Sequence, residues 1–369
     1  MKAIAITPGE GNAQLIEGHA EPEVQRPDHV KIQVLETGIC GTDRELSAGG
    51  HTDAPEGSDK LVIGHEMFGR VTAVGDAVTS VKPGDLATFT VRRGCGLGKP
   101  CCSHRSDLCQ AGQYTERGIK AAHGYKTEYV VDEEQYLVKV PAEARTVGVL
   151  AEPMSVAEKA IDEAVSLQAA RLPEGTEESW LQGRRALVAG IGAIGMLAVI
   201  ALRLRGAEVW GLDIVDEDTR RPTLLKHFGG HYIDGRTVET SNIDEQFGHM
   251  DFIFEATGVA RLSFELIDAL GTNGVYVMTG IPHGDRPTCI TGPELMRQIV
   301  LKNQIILGSV NAGHQHFGMG IADLVAARER WGAEVIDGFI TTRLPVERFI
   351  EGFESRSSDD LKTVIEWSK

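Results

Sequence analysis

At 369 residues, 42% apolar and 24% charged, the chain has the length of two domains and the composition of a globular protein. A formal net charge of −16 sets it against polyanions, whose binding depends on Lys and Arg, so nucleic acid is excluded as the expected ligand. Six cysteines are too few for a disulfide scaffold, and four of them crowd between Cys95 and Cys109, which points to metal chemistry in a reducing compartment, the cytoplasm.

The opening Met1-Lys2-Ala3-Ile4-Ala5-Ile6, ended by Pro8-Gly9, is too short an apolar run for a signal peptide and predicts a first strand. From there to about Tyr136 the apolar residues alternate or come in short runs broken by Pro-Gly and Gly-Asp pairs: Val30–Val34, Gly69–Val74, Asp85–Val91 and Thr127–Val131. That pattern predicts a β-rich module. At its turns and strand ends stand Cys40 in Cys40-Gly41-Thr42-Asp43, and His65-Glu66 after Gly64. A thiolate, an imidazole and a carboxylate form the donor set of a borderline-soft ion such as zinc, and a catalytic site needs three protein ligands with one position open. Each residue alone has an ordinary reading, a small buried thiol or a surface His-Glu pair. Glu152-Pro153 precedes a run of helical spacing, Val156, Ala160, Ile161 and Val165, so its carboxylate is either a further ligand or a solvated acid at a helix start.

Ala169 to Trp180 is charged and contains Gly and Pro, which places a domain boundary there. Ala186 to Leu202 carries no charge and approaches the length of a membrane span, but Gly190, Gly192 and Gly195 fit a strand-to-helix turn and not a lipid-facing helix. In Gly190-Ile191-Gly192-Ala193-Ile194-Gly195 the glycines allow a tight turn and close approach of backbone to a pyrophosphate at the helix N-terminus. A second strand, Glu208–Leu212, ends at Asp213, where an acid accepts bonds from the ribose hydroxyls and repels a 2′-phosphate. NAD is therefore the expected cofactor, with Arg220 and Arg221 leaving NADP open. Further strands end at Thr257-Gly258, Gly280-Ile281 and Ser309-Val310-Asn311, which completes the pattern of a doubly wound parallel sheet. A helix over Met319–Arg330 and a last strand over Thr363–Trp367 follow.

Cys40-Gly41-Thr42-Asp43, Gly64-His65-Glu66, the cysteine loop and the glycine fingerprint occur in an order that resembles the zinc-dependent medium-chain alcohol dehydrogenases over nearly the whole chain. Arg92-Arg93-Gly94-Cys95, Tyr114-Thr115-Glu116-Arg117-Gly118-Ile119 and Gly308-Ser309-Val310-Asn311 look most like the glucose 1-dehydrogenase branch. The resemblance implies an α/β protein with a GroES-like catalytic domain, residues 1–180 and 313–369, and a Rossmann domain, residues 181–312. It implies a catalytic zinc on Cys40, His65, Glu66 and Glu152, with Thr42 taking the alcohol proton and Asp43 orienting the histidine. Glu45 stands where classical members carry a histidine of the proton relay. Sugar recognition falls to Thr42, Glu116, Glu152 and Asn311, with His314 a further candidate, and the three strand ends line the cofactor track.

The family's structural zinc loop has four cysteines. Here Cys95, Cys101 and Cys109 take the first, third and fourth places and Gly98 the second, so either Cys102 or a neighbouring donor such as His104 completes the set, or the lobe is held without metal; adjacent Cys101 and Cys102 are poorly placed to chelate one ion together. The implied reaction is oxidation of an aldose, glucose first, to its lactone by a dimer or tetramer without membrane attachment. Sorbitol-type and threonine-type zinc dehydrogenases, and a zinc-free nucleotide-binding relative, are the alternatives.

Overall fold

The computed structural model describes residues 1–173, 176–282, 287–355, 357 and 359–367. Its contacts divide the chain into two compact units, Met1–Ser155 with Asn311–Lys369, and Val156–Val310. The division differs from the expected boundary near residue 180. A single helix, Ala151–Arg171, runs through it, because no residue between Pro153 and Leu172 breaks a helix, and Pro153 in the first turn loses no hydrogen bond. The composition shift at Ala169–Trp180 marks the end of that helix, and its residues 174 and 175 lie outside the described residues.

The first unit is built on a sheet whose strands run Leu137–Val140, Leu86–Phe89, Met67–Val74, His29–Ile39, Lys362–Glu366 and Ile340–Pro345, with Tyr129–Glu133 also paired to His29–Ile39. Val30, Ile32 and Val34 point with Phe89, Met67 and Ile365 into one core, as period-two patterning requires. The last strand enters between two others of the sheet, with Thr363 opposite Ile39, so the end of the chain flanks Cys40. Where the sequence suggested a helix over Met319–Arg330, one spans His314–Trp331.

In the second unit the strands lie in the order His231–Asp234, Glu208–Asp213, Arg185–Ala189, Met250–Glu255, Leu270–Met278 and Ile305–Gly308, each parallel to its neighbours. The apolar stretch from Ala186 becomes a buried strand, a glycine turn and the helix Ala193–Leu204, buried over most of its surface. No helix of the described residues is long and apolar enough to cross a membrane.

Candidate functional site

Strand His29–Ile39 ends at Cys40, which precedes the short helix Gly41–Ser47, while Gly64 turns the chain so that His65 and Glu66 enter the strand Met67–Val74. Two glycines make this possible. Gly64 has φ +92°, and a Cβ on it would lie 2.5 Å from Cγ of Lys126. A Cβ on Gly38 would fall 1.8 Å from a carboxylate oxygen of Glu66. With those side chains absent, Cys40 Sγ comes 3.3 Å from His65 Nε2, and the ligand atoms of Cys40, His65 and Glu66 all lie within 4.8 Å of one another.

Two lysines that sequence reasoning passed over reach into this cluster. Lys126, fully buried, donates to Asp43 Oδ2 at 2.8 Å and to the Gly38 carbonyl at 2.7 Å. Lys362, also buried, pairs with Glu66. Asp43 also accepts the Cys40 amide at 3.0 Å. Burial would push the Asp43 carboxyl up, but Lys126 and His65 beside it and these hydrogen bonds hold it below its ordinary value. The expected Asp43–His65 hydrogen bond is not formed: Lys126 has taken Oδ2, and Asp43 Oδ1 and His65 Nδ1 are both buried without a partner.

Glu152 is the second residue of the helix Ala151–Arg171, within its first turn and not ahead of it. Burial, with a contribution from Glu66, pushes its carboxyl up to about 7 against the pull of His65. Desolvation and the carboxylates of Asp43 and Glu66 push the Cys40 thiol well above its usual value. Three buried carboxylates and one thiol thus face two buried lysines. With all acids ionised and His65 neutral, two negative charges are left over, which is the charge of one divalent cation. The surplus charge, the orphaned atoms and the mixed S, N and O donors fit zinc. Thr42, half-buried in the short helix, makes no hydrogen bond through its hydroxyl among the described residues.

Glu116 lies directly across from Arg92 in an antiparallel pair of strands. Its Oε1 accepts Arg92 Nε at 3.0 Å and Asn311 Nδ2 at 2.6 Å, so two sugar-site candidates 195 positions apart are joined. Gly118, two residues on, packs against the Gly64 backbone, next to His65. His314 is not part of this group. Its Nε2 donates to the Leu137 carbonyl at 2.8 Å, because the helix it opens packs on that strand.

The cysteine loop brings Sγ of Cys95, Cys101 and Cys109 within 4.8 Å of one another. Amides of Leu97 and Gly98 pull the Cys95 thiol down to about 7. Cys102 stays outside the group: one helical position past Cys101 in Lys99–Cys102 it turns to the surface, its thiol 3.5 Å from the Gly96 carbonyl. His104 is also exposed. Among the described residues no fourth donor joins the three thiols.

In the second unit a cavity of about 330 Å³ is lined by Gly190, Gly192, Asp213, Arg221 and Thr257 among others. Gly190 has φ +83°, and a Cβ on Gly195 would lie 1.9 Å from its carbonyl oxygen. Asp213 accepts the amides of Ile191 at 3.1 Å and Ile214 at 2.7 Å, with Arg221 Nη1 3.7 Å away. Glu255, unremarked in the sequence, is buried at the end of its strand and accepts the amides of Thr257 at 2.7 Å, Gly258 at 2.9 Å and Gly280 at 3.2 Å. It therefore shapes two of the expected cofactor turns at once. Ala193 and Ile194 open the helix beside Gly192 without lining the cavity, Ile281 and Val310 are exposed, and Ser309 is tied to the Met278 carbonyl.

Comparison with known proteins yields two family models in succession: the alcohol dehydrogenase GroES-like domain over residues 26–142 and the glucose dehydrogenase C-terminus over residues 145–367. A glucose 1-dehydrogenase of Methanocella arvoryzae is 34% identical across 99% of both chains. Another, from Vulcanisaeta moutnovskia, is 37% identical across 99% of both. The solved structure of Haloferax mediterranei glucose dehydrogenase in complex with NADP, Zn and gluconolactone superimposes with a TM-score of 0.89 at 32% identity, covering 100% of each chain.

Proposed function

This chain belongs to the zinc-dependent medium-chain alcohol dehydrogenase family, in its glucose 1-dehydrogenase branch, and from that premise we propose that it oxidises the C1 hydroxyl of an aldose, D-glucose first, to the lactone. The observation that carries the reading is the convergence of Cys40, His65 and Glu66, whose ligand atoms all lie within 4.8 Å of one another.

Cys40, His65 and Glu66, with Glu152 beside them, would hold the zinc, which supplies Lewis-acid polarisation of the sugar hydroxyl when bound. Lys362 and Lys126 fix the carboxylates around that point, Lys362 by pairing with Glu66 and Lys126 through Asp43, whose other contact is the Cys40 amide. The dinucleotide, when bound, would supply the acceptor for the C1 hydrogen and its electron pair together as hydride, and the unengaged Thr42 hydroxyl would pass the substrate's hydroxyl proton to solvent. Glu116 keeps one carboxylate oxygen for a further sugar hydroxyl, and a site built to pair hydroxyls discriminates strongly against alcohols that lack them.

NAD is the proposed acceptor, with NADP also accepted, since the charge of Asp213 is already shared by two amides and Arg221. The thiols Cys95, Cys101 and Cys109 form a second candidate metal site, which a fourth ligand from beyond the described donors would close around zinc. We also propose a dimer or tetramer acting in the cytoplasm. An unpaired edge strand, Ile305–Gly308, beside exposed Met296, Val300 and Leu301 supports the assembly, and six free cysteines support the compartment.

The test is a panel of aldoses, polyols and L-threonine assayed with NAD and NADP side by side, before and after removal of metal by dialysis against a chelator. Aldose-dependent reduction of the dinucleotide that is lost with the zinc is expected. A preference for sorbitol or threonine, or full activity in metal-free protein, would overturn the reading.

A further inference from the structure

We propose that Arg92 is a positioning residue for sugar recognition: it holds the Glu116 carboxylate in the one orientation that leaves an oxygen open to a substrate hydroxyl. The inference rests on the assignment of Glu116 to the sugar site. Glu116 is used unevenly. Oε1 takes Arg92 Nε at 3.0 Å, Arg92 Nη2 at 2.9 Å and Asn311 Nδ2 at 2.6 Å, whereas among the described residues Oε2 takes no donor and is not shut away from solvent. A carboxylate held this way at one oxygen presents the other as a fixed acceptor.

Arg92 is suited to the task because it is itself immobilised on every side. Its third nitrogen, Nη1, donates to the Asp107 carbonyl at 2.7 Å, its own carbonyl accepts Ser106 Oγ at 3.0 Å, and its guanidinium lies 4.0 Å from the Tyr114 ring centroid. Ser106 and Asp107 belong to the segment between Cys101 and Cys109. The cysteine loop is therefore the wall on which the sugar-binding carboxylate is braced. A lysine could answer the charge of Glu116 but could not place two donors on Oε1 and a third on the Asp107 carbonyl with one rigid fork.

The test compares R92M, R92K and E116A on D-glucose and on its 2-, 3-, 4- and 6-deoxy analogues, with the urea unfolding midpoint and zinc content as the measures of a folded first unit. R92M should raise KM for D-glucose about 10- to 100-fold with kcat changed less than about threefold, and R92K should fall between. For the one deoxy analogue that lacks the hydroxyl held by Glu116, wild type, R92M and E116A should have the same KM. A merely structural role would raise KM for every analogue alike, and that result would overturn the proposal. If E116A loses the discrimination while R92M and R92K retain it, Arg92 is dismissed and the sugar site stands. If E116A leaves KM for D-glucose unaltered, the assignment of Glu116 fails and the role of Arg92 falls with it. Should R92M fail to fold, R92K alone gives the same three outcomes.

Discussion

Two buried clusters of charge lie in the same unit and differ in one respect. Around Asp132 everything is answered: Oδ2 accepts Arg93 at 2.7 Å and Arg117 Nε at 2.8 Å, Oδ1 accepts the Glu133 amide at 2.9 Å, and the arginines spend their remaining donors on Thr90, His123, Val131 and the Tyr125 hydroxyl. Around Cys40 the carboxylates outnumber the lysines, and Asp43 Oδ1 and His65 Nδ1 have no partner. Burial of polar groups is common to both clusters, so burial alone does not mark a site. Unspent hydrogen-bonding capacity does, because a fold that served only stability would have satisfied it.

The largest expected effect comes from breaking the unbalanced cluster. Cys40→Ser or His65→Ala should lower turnover by about 10³-fold or more, the scale of several kcal/mol of lost polarisation, and should cost the protein its catalytic zinc. NADH titration should be unchanged, since the cofactor cavity belongs to the other compact unit. Steady-state kinetics, metal analysis and fluorescence check the three parts. A variant that keeps its full zinc content would refute the ligand assignment.

Breaking the balanced cluster should do the reverse. Asp132→Asn leaves two half-buried guanidinium groups, each in direct hydrogen-bonding contact with that carboxylate in the wild type, facing no anion, and should cost about 3 kcal/mol of stability, with zinc content and KM for the sugar unchanged in the folded fraction. The effect has a pH signature. Burial works against the Asp132 charge, but Arg117 and Arg93 hold its carboxyl far below the ordinary range. The stabilisation is thus fully present above the unfolded value of about 4 and is lost as pH falls below it toward the folded value. Urea midpoints of wild type and variant should be well separated at pH 7 and converge as the pH drops below about 4. A separation that stays constant down to pH 2 would mean that the carboxylate charge is not what holds the arginines.

How much of this was legible beforehand depends on sequence separation. Cys40, His65 and Glu66 stand in short motifs at turns, and Gly190, Gly192, Gly195 and Asp213 follow from one strand-turn-helix unit, so local pattern was enough to nominate both groups. The lysines were not legible, because Lys126 and Lys362 look like any surface lysine until their partners, 83 and 296 positions away, are brought beside them. Glu255 was hidden for the same reason: nothing local says that a strand-end acid will gather amides from two later turns. Cys102 shows the opposite failure, a residue of the right type with the wrong rotation about a helix axis. The division by contacts falls inside the helix Ala151–Arg171 and the shift in composition at its end, because composition reports where a helix stops, whereas packing is free to change partners in the middle of one.

Asp213 lies between the two extremes and gives the smallest expected effect. Its oxygens are each met by an amide, and Arg221 stands at 3.7 Å, a distance at which attraction is felt but no hydrogen bond is spent. The carboxylate therefore keeps enough charge to favour the free ribose hydroxyls of NAD, while the guanidinium stays near enough to meet a 2′-phosphate. Both side chains are only partly screened from water, which limits either interaction to about 1 kcal/mol, roughly fivefold in a specificity ratio. Asp213→Ser should raise kcat/KM for NADP relative to NAD by about that factor, and Arg221→Ala should lower it by about the same. The two substitutions act on one phosphate from opposite sides, so the double variant should return close to the wild-type ratio. If Arg221→Ala lowers NAD and NADP alike, the arginine serves the pyrophosphate or the fold, and the residual charge of Asp213 is then answered by the two amides alone.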